Sequence, residues 1–98
     1  MTHELKSWPA HFGAALTGRK RFEIRRDDRT PGFQAGDVVV LLEYDPHEEE
    51  PRRFTGRRAM FFIGYVERSA CLPPGWCGFD LVSPEDLNRV ALALRSRT

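Results

Sequence analysis

The chain has 98 residues, enough for one modest hydrophobic core and too few for two, so we expect one domain over residues 1–98. The net charge of +1 excludes a global field that would draw the protein onto nucleic acid, so such binding would need a local patch. No run approaches the roughly eighteen apolar residues of a membrane span. The first residues also lack the basic and apolar regions of a signal peptide, and we expect a cytoplasmic protein with no membrane partner.

The cysteines and histidines form no recognisable metal or redox motif. Cys71 and Cys77 stand six residues apart, which matches neither a C-x-x-C redox pair nor a zinc knuckle. We expect buried or half-buried free thiols, because disulfides are rare in cytoplasmic proteins. The histidines have no spacing that would complete a metal site, so we predict no metal and no cofactor.

The first part of the chain predicts a strand and then a helix. Residues 2–6 have the pattern of a short strand, and Ser7 is placed to cap a helix whose first turn accepts Pro9. Gly18 can take the positive φ that ends such a helix. Apolar residues at i, i+4, i+7 and i+8 predict one stripe facing the core, formed by Trp8, Phe12, Ala15 and Leu16.

A strand rich in charge follows the helix. Residues 19–29 contain six cations and three carboxylates, yet Phe22 and Ile24 alternate as in a half-buried strand. We therefore predict that Phe22 and Ile24 enter the core. The opposite face then carries Arg21, Glu23 and Arg25. This row is either a solvated face whose charges neutralise one another or a functional surface, because the planar arginine fork suits phosphates and base edges.

The middle of the chain predicts a strand, a hairpin tip and two further strands. Residues 38–42 are apolar on both faces, as expected of a central strand that is covered on both sides. The acidic segment 45–51 is bracketed by prolines and predicts a hairpin tip. A long strand should span residues 57–67, with a bulge or bend at Gly64, and a last strand should lie near 77–82.

A C-terminal helix is predicted over residues 83–98. Ser83 is a capping residue, Pro84 suits the first helical position, and acidic residues follow in the first turn. The resulting order β-α-β-β-β-β-α indicates an α+β domain with a small, mostly antiparallel barrel, a helix after the first strand and a helix at the C-terminus.

Charge is distributed unevenly along the chain. Residues 19–29 sum to +3, residues 43–50 to −5 and residues 52–58 to +4. Two arginine-rich segments therefore flank an acidic one. Such a surface is compatible with a nucleic-acid patch, and equally with a module that engages another protein.

Several motifs resemble known families. The run Gly18-x-Lys20-x-x-Glu23-x-Arg25 matches the G-x-K-x-x-E-x-R signature of the ASCH domains, a PUA-like superfamily of small β-barrels implicated in RNA binding. The wider pattern over residues 3–82 resembles the DUF3850 family of small phage and bacterial proteins. Its motifs are His3-Glu4-Leu5-Lys6, Trp8-Pro9, Phe12, Gly18 to Asp28, Gly36-Asp37 and Leu42-Glu43-Tyr44-Asp45.

This resemblance implies an RNA or nucleotide partner, held in a cleft beside the barrel. Cations would meet phosphates, Glu23 would accept a hydrogen bond from a base amino group, and Trp8, Tyr44 or Trp76 would stack on bases. The candidate binding residues are His3, Lys6, Trp8, Lys20, Glu23, Arg25, Arg26, Arg29 and Tyr44.

The resemblance also raises a catalytic alternative. One branch of the superfamily is similar to amidohydrolases that deacylate modified cytidine with a lysine and a threonine of the signature and a later glutamate. Lys20 is present here, but Glu23 stands at the threonine position, and a carboxylate cannot replace a hydroxyl nucleophile in that mechanism. The remaining catalytic hypothesis is a Lys20–Glu23 acid–base pair that hydrolyses RNA or an acylated nucleoside, and the alternative is a structural ion pair.

Overall fold

Six strands and one short helix follow one another in the part of the chain that this computed structural model describes, residues 1–69 and 71–88. They are β1 (Thr2–Ser7), α1 (Pro9–Leu16), β2 (Phe22–Arg26), β3 (Val38–Tyr44), β4 (Phe54–Phe62), β5 (Val66–Glu67) and β6 (Trp76–Asp80). A helical turn begins at Pro84 and reaches Asn88. The remainder of the predicted C-terminal helix, residues 89–98, lies outside the described residues.

The strands form two three-stranded sheets. The first has the order β1-β3-β4 and the second the order β2-β6-β5. Strand β1 pairs with β3 in parallel, and the other strand pairs are antiparallel. The prediction of a mostly antiparallel α+β domain is therefore confirmed.

Strand β3 is central in its sheet and provides much of the core. Val39, Leu41 and Glu43 are buried on one face, while Val38 and Leu42 are among the half-buried residues of the other. The prediction of a strand covered on both sides is confirmed. The buried apolar core comprises Leu5, Phe12, Ala15, Phe33, Val39, Leu41, Phe61, Ile63, Cys77, Phe79 and Leu81.

Helix α1 packs on this core with only part of its apolar stripe. Phe12 is buried, but Trp8 is 55% exposed, so the prediction that Trp8 belongs to the core is wrong. The predicted Ser7 cap is also wrong, because Ser7 is still the last residue of β1 and Trp8 occupies the N-cap without a side-chain hydrogen bond. Gly18 has a φ of +77°, which supports its predicted role at the helix end.

The chain passes from one sheet to the other at Gly64. The backbone N–H groups of Gly64 and Tyr65 donate to Asp80 Oδ1 at 2.7 and 2.9 Å. A Cβ atom at position 64 would lie 2.8 Å from Asp80 Oδ2, so a side chain there would displace the carboxylate. Just before the bend, Phe62 and Val82 exchange two backbone hydrogen bonds that join the sheets. The predicted bend is confirmed.

Both cysteines are free thiols, as predicted. Cys77 is fully buried, and burial raises the pKa of its thiol, whereas Cys71 is exposed, so the prediction of a buried or half-buried thiol is wrong for Cys71. Across residues 1–69 and 71–88, no group of three or more histidine, cysteine or acidic side chains is arranged to hold a metal ion. Neither helical segment in these ranges has the length and apolar character that crossing a lipid bilayer requires.

Candidate functional site

Strand β2 points its charge inward and its apolar side chains outward. Phe22 and Ile24 are 56% and 52% exposed, so the prediction that they enter the core is wrong. Glu23 is only 3% exposed and stands opposite the buried Phe79 of β6. Arg21 lies just before the strand, and its Nε donates to the Gly18 carbonyl.

The buried Glu23 carboxylate lies between two cations. Lys20 Nζ donates to Glu23 Oε1 at 2.8 Å, and Arg25 Nε donates to Oε2 at 2.9 Å. The tight turn after α1 places Lys20 beside Glu23, while Arg25 shares a strand face with Glu23 because the two are i and i+2 along the strand. Two charge-assisted hydrogen bonds offset the cost of removing the carboxylate from water, and the cluster keeps an excess positive charge.

Arginines from β2 and the loop after it reach the free edge of β1. Arg25 Nη2 donates to the carbonyl of Lys6 at 2.8 Å, and Arg29 Nη2 donates to the carbonyl of Glu4 at 3.3 Å. Strands β1 and β2 are edge strands of different sheets. These side-chain hydrogen bonds therefore satisfy two β1 carbonyl groups that would otherwise pair with a neighbouring strand.

A cleft of about 910 Å³ opens between the end of β1, helix α1 and strand β2. This volume falls within the range of small-molecule sites in proteins. Its apolar walls include Trp8, Phe22, Ile24 and Trp76. The exposure of Phe22 and Ile24 is therefore exposure to this cleft.

Six of the nine predicted binding residues line the cleft together. They are Lys6, Trp8, Lys20, Glu23, Arg25 and Arg26. The Arg26 guanidinium carbon lies 5.6 Å from the centre of the Trp76 ring, in cation–π contact. Cationic and aromatic side chains thus meet in one hollow.

The structure places His3 in the core and not in the cleft. His3 is 1% exposed, its Nε2 lies 2.7 Å from Asp37 Oδ2, and its ring centre lies 4.5 Å from that of Phe33. Burial alone would raise the pKa of the Asp37 carboxyl, but hydrogen bonds that include those from His3 and from the Gln34 N–H lower the pKa overall. This pair ties β1 to the start of β3, a structural role.

Tyr44 and Arg29 also lie outside the cleft. Tyr44 packs edge-on against Phe54, and Lys6 Nζ lies 4.5 Å from the Tyr44 ring centre, so the ring positions a cleft residue. Arg29 lines a smaller hollow of about 210 Å³ beside the cleft, together with Arg25 and Arg26.

Six cleft residues were absent from the predicted binding set: Ser7, His11, Ala14, Phe22, Ile24 and Trp76, the last of which was named only as a possible stacking residue. Ser7 is the most informative of them, because its Oγ is buried and has no hydrogen-bond partner within residues 1–69 and 71–88. An unpaired buried hydroxyl costs about 1–3 kcal/mol. The inward alternation of His3, Leu5 and Ser7 was the signal that could have identified it.

Comparisons with known proteins place the chain in one family. A family model described as "Domain of unknown function (DUF3850)" matches residues 2–81. An "Uncharacterized 12.9 kDa protein in GpA 3'region" of Escherichia phage P2 is 38% identical over 56 residues, which cover 57% of this chain. The match covers 45% of the phage protein, less than half of its length. Because the family model spans most of its length, the chain belongs to the DUF3850 family.

Proposed function

We propose that the cleft binds a nucleotide unit, either free or as part of RNA. The observation that carries this proposal is the presence of exposed aromatic rings and a cationic cluster in the same cleft of about 910 Å³. Stacking on aromatic side chains together with phosphate contacts from arginine or lysine is the common chemistry of single-stranded nucleic-acid recognition.

The aromatic walls supply the base-binding part of this site. Trp8 and Phe22 are each more than half exposed, although exposing large aromatic side chains forgoes the free energy that burial would provide. Trp76 is half-buried beside them. A base inserted against these rings would bury their faces, and each such stacking contact contributes about 1–3 kcal/mol.

The polar side chains of the cleft would orient the bound nucleotide. Each Glu23 oxygen accepts one N–H and keeps further acceptor capacity, so the carboxylate can receive a base amino group without losing Lys20 or Arg25. The Ser7 hydroxyl borders the same space and has no partner of its own in the described part of the chain. Arg26 has no carboxylate partner among the described residues and is available to a phosphate.

We further propose that the two sheets form an ASCH/PUA-like barrel. The Phe62–Val82 bridge joins the sheets on one side. On the other side, Arg25 and Arg29 span the gap between β2 and β1. An experimental structure with a closed strand ladder, or with this same side-chain closure, would support the barrel, and two sheets splayed apart would contradict it.

We also propose that the protein acts in the cytoplasm. Both Cys71 and Cys77 are free thiols, and reducing compartments keep thiols in that state. Cell fractionation of the tagged protein tests this proposal, and recovery in an oxidising compartment would contradict it.

Fluorescence anisotropy at low salt tests the proposed nucleotide binding. The ligands are nucleoside monophosphates and short labelled RNA. We expect Trp76→Ala to weaken binding about tenfold, the loss of one stacking contact. The matched control is Arg52→Ala, an exposed hairpin residue that should leave binding unchanged. No binding to any nucleotide or RNA would overturn the proposal and favour a protein-interaction module.

A hydrolase acting on RNA or on an acylated nucleoside is the second candidate. The observation that favours it is that Lys20 and Glu23, 2.8 Å apart, both line the cleft, so a proton donor and a proton acceptor would border a bound substrate. Product release from labelled RNA or acylated cytidine should then disappear in Lys20→Ala. Binding of these substrates without turnover by the native protein would exclude this function.

A further inference from the structure

We propose that the ligand is single-stranded RNA whose backbone follows the free edge of β1, with Arg25 and Arg29 contacting successive phosphates. This inference rests on the proposed function, because it takes the cleft as the site of one base. It adds the polymeric nature of the ligand and the direction in which the strand leaves the cleft.

Arg25 and Arg29 are anchored at alternate residues of β1. Arg25 donates to the Lys6 carbonyl and Arg29 to the Glu4 carbonyl, two residues away along the same strand. Two residues of a strand span about 6.6 Å. This spacing of the two anchoring carbonyls is comparable to the separation of successive phosphates in an extended single strand, so the proposal assigns one arginine to each phosphate.

Both guanidinium groups keep donors for a phosphate. An arginine side chain has five N–H donors. Arg29 uses one of them on the Glu4 carbonyl, and it has no carboxylate partner among the described residues. Arg25 uses donors on Glu23 and on the Lys6 carbonyl, which leaves part of its fork free. Their backbone contacts restrict both side chains, so less conformational entropy is lost when a phosphate binds.

The cleft and the smaller hollow are neighbours that share two arginines in their linings. Arg25 and Arg26 line both spaces, whereas Arg29 lines only the smaller one of about 210 Å³. Asp28 is the single carboxylate among the residues that line this smaller hollow. An aromatic hollow followed by an arginine hollow matches a base followed by the phosphate of the next nucleotide.

This arrangement favours a single strand over a free nucleotide or a duplex. A nucleotide that fills the cleft has no further phosphate to place at Arg29. A duplex keeps its bases stacked, and only an unpaired base can enter a side-chain-lined hollow. A strand uses both spaces at once.

Anisotropy titrations test the inference. They compare a nucleoside 5′-monophosphate with a tetranucleotide of the same base, each titrated with the native protein and with Arg29→Ala. We expect the native protein to bind the tetranucleotide at least about tenfold more tightly. Arg29→Ala should weaken tetranucleotide binding about three- to tenfold. It should also reduce the slope of log affinity against log salt concentration by about one, the value for one phosphate contact, and should leave monophosphate binding unchanged. Arg52→Ala removes the same charge from the hairpin and should change neither affinity.

The outcomes separate the two proposals. Equal affinity for monophosphate and tetranucleotide, or an unchanged tetranucleotide affinity in Arg29→Ala, would overturn the strand proposal while the nucleotide site stands. Tighter binding of a hairpin duplex, or equal binding of DNA and RNA tetranucleotides, would overturn the assignment to single-stranded RNA. Failure to bind any of these probes would overturn the nucleotide site and the strand proposal with it.

Discussion

Strands β2 and β3 share a period of two but bury opposite kinds of side chain. In β3, alternate apolar residues such as Val39 and Leu41 enter the core. In β2, Glu23 is buried while Phe22 and Ile24 are more than half exposed, and all three side chains border the cleft. Alternation therefore determines which residues share a face, and the availability of counter-charges and of a cleft decides which face is buried.

A second buried carboxylate, Glu43 of β3, shows how specific the surroundings of Glu23 are. Glu43 accepts a hydrogen bond from Thr55 Oγ1 at 2.7 Å, and its nearest cation, Arg57, lies 3.6 Å away and is mostly exposed. Glu23 instead contacts two cations within 2.9 Å. Of these two carboxylates, Glu23 is the one that holds two cations at the cleft, so its cluster has a net positive charge.

The largest effect should follow from truncating the inner face of β3. Leu41 is fully buried, so Leu41→Ala should lower the free energy of unfolding by about 2–5 kcal/mol, because it leaves a cavity. Urea denaturation measures this loss. Leu42→Ala, on the half-buried face of the same strand, is the control and should cost clearly less. Equal costs would mean that β3 does not distinguish its faces.

A smaller loss should follow from neutralising the inner face of β2. Glu23→Gln leaves Lys20 and Arg25 without their shared counter-charge, and we expect a loss of about 1–3 kcal/mol. Both cations are partly exposed, so water compensates part of the loss. Glu4→Gln, at an exposed carboxylate of β1, should be nearly neutral. An unchanged urea midpoint for Glu23→Gln would show that the cluster does not stabilise the fold.

The carboxylate that follows β2 should produce a pH dependence. The hydrogen bond from Arg68 is the main cause that lowers the pKa of Asp27, and burial opposes it. A carboxyl whose folded pKa is lowered stabilises the protein above its unfolded value of 3.8, and this contribution disappears as the pH falls through the lower folded pKa. Melting temperatures below about pH 4 should therefore fall less steeply in Asp27→Asn than in the native protein. A matching slope in both proteins would contradict this role, and Asp28→Asn serves as the exposed control.

The smallest effect on stability should come from the outer face of β2. Ile24→Ala removes an apolar side chain that is more than half exposed, so the free energy of unfolding should change by less than about 0.5 kcal/mol. Nucleotide affinity should nevertheless fall, because the cleft loses part of its wall. Destabilisation as large as that of Leu41→Ala would show that Ile24 belongs to the core after all.

Local patterns in the sequence predict most of the fold. The apolar run of β3, the helix end at Gly18 and the bend at Gly64 each follow from the conformational preferences of nearby residues. The faces of β2 could not be predicted in this way, because the sequence does not show that Phe22 and Ile24 border a cleft formed with α1 and β1.

The site was predictable where its residues are close in sequence. Lys20, Glu23 and Arg25 lie within one short motif, and the structure brings them together. His3 could not be assigned, because its partner Asp37 is 34 residues away and only the parallel pairing of β1 with β3 brings them into contact. The prediction of a Ser7 cap is wrong because Pro9 favours a helix start just after Ser7, although the alternation of His3, Leu5 and Ser7 is the local sign that β1 extends to Ser7.

The contact between Asp80 and the backbone at Gly64 has a consequence for how related proteins can diversify. The cleft draws its walls from both sheets, and this crossing is one place where the chain passes between them. Because the cleft has walls on both sheets, we expect a residue inserted or deleted at the crossing to shift these walls relative to each other while every wall residue keeps its identity. Evolution could thus retune the size of the accepted molecule from a distance, through the length of one connection.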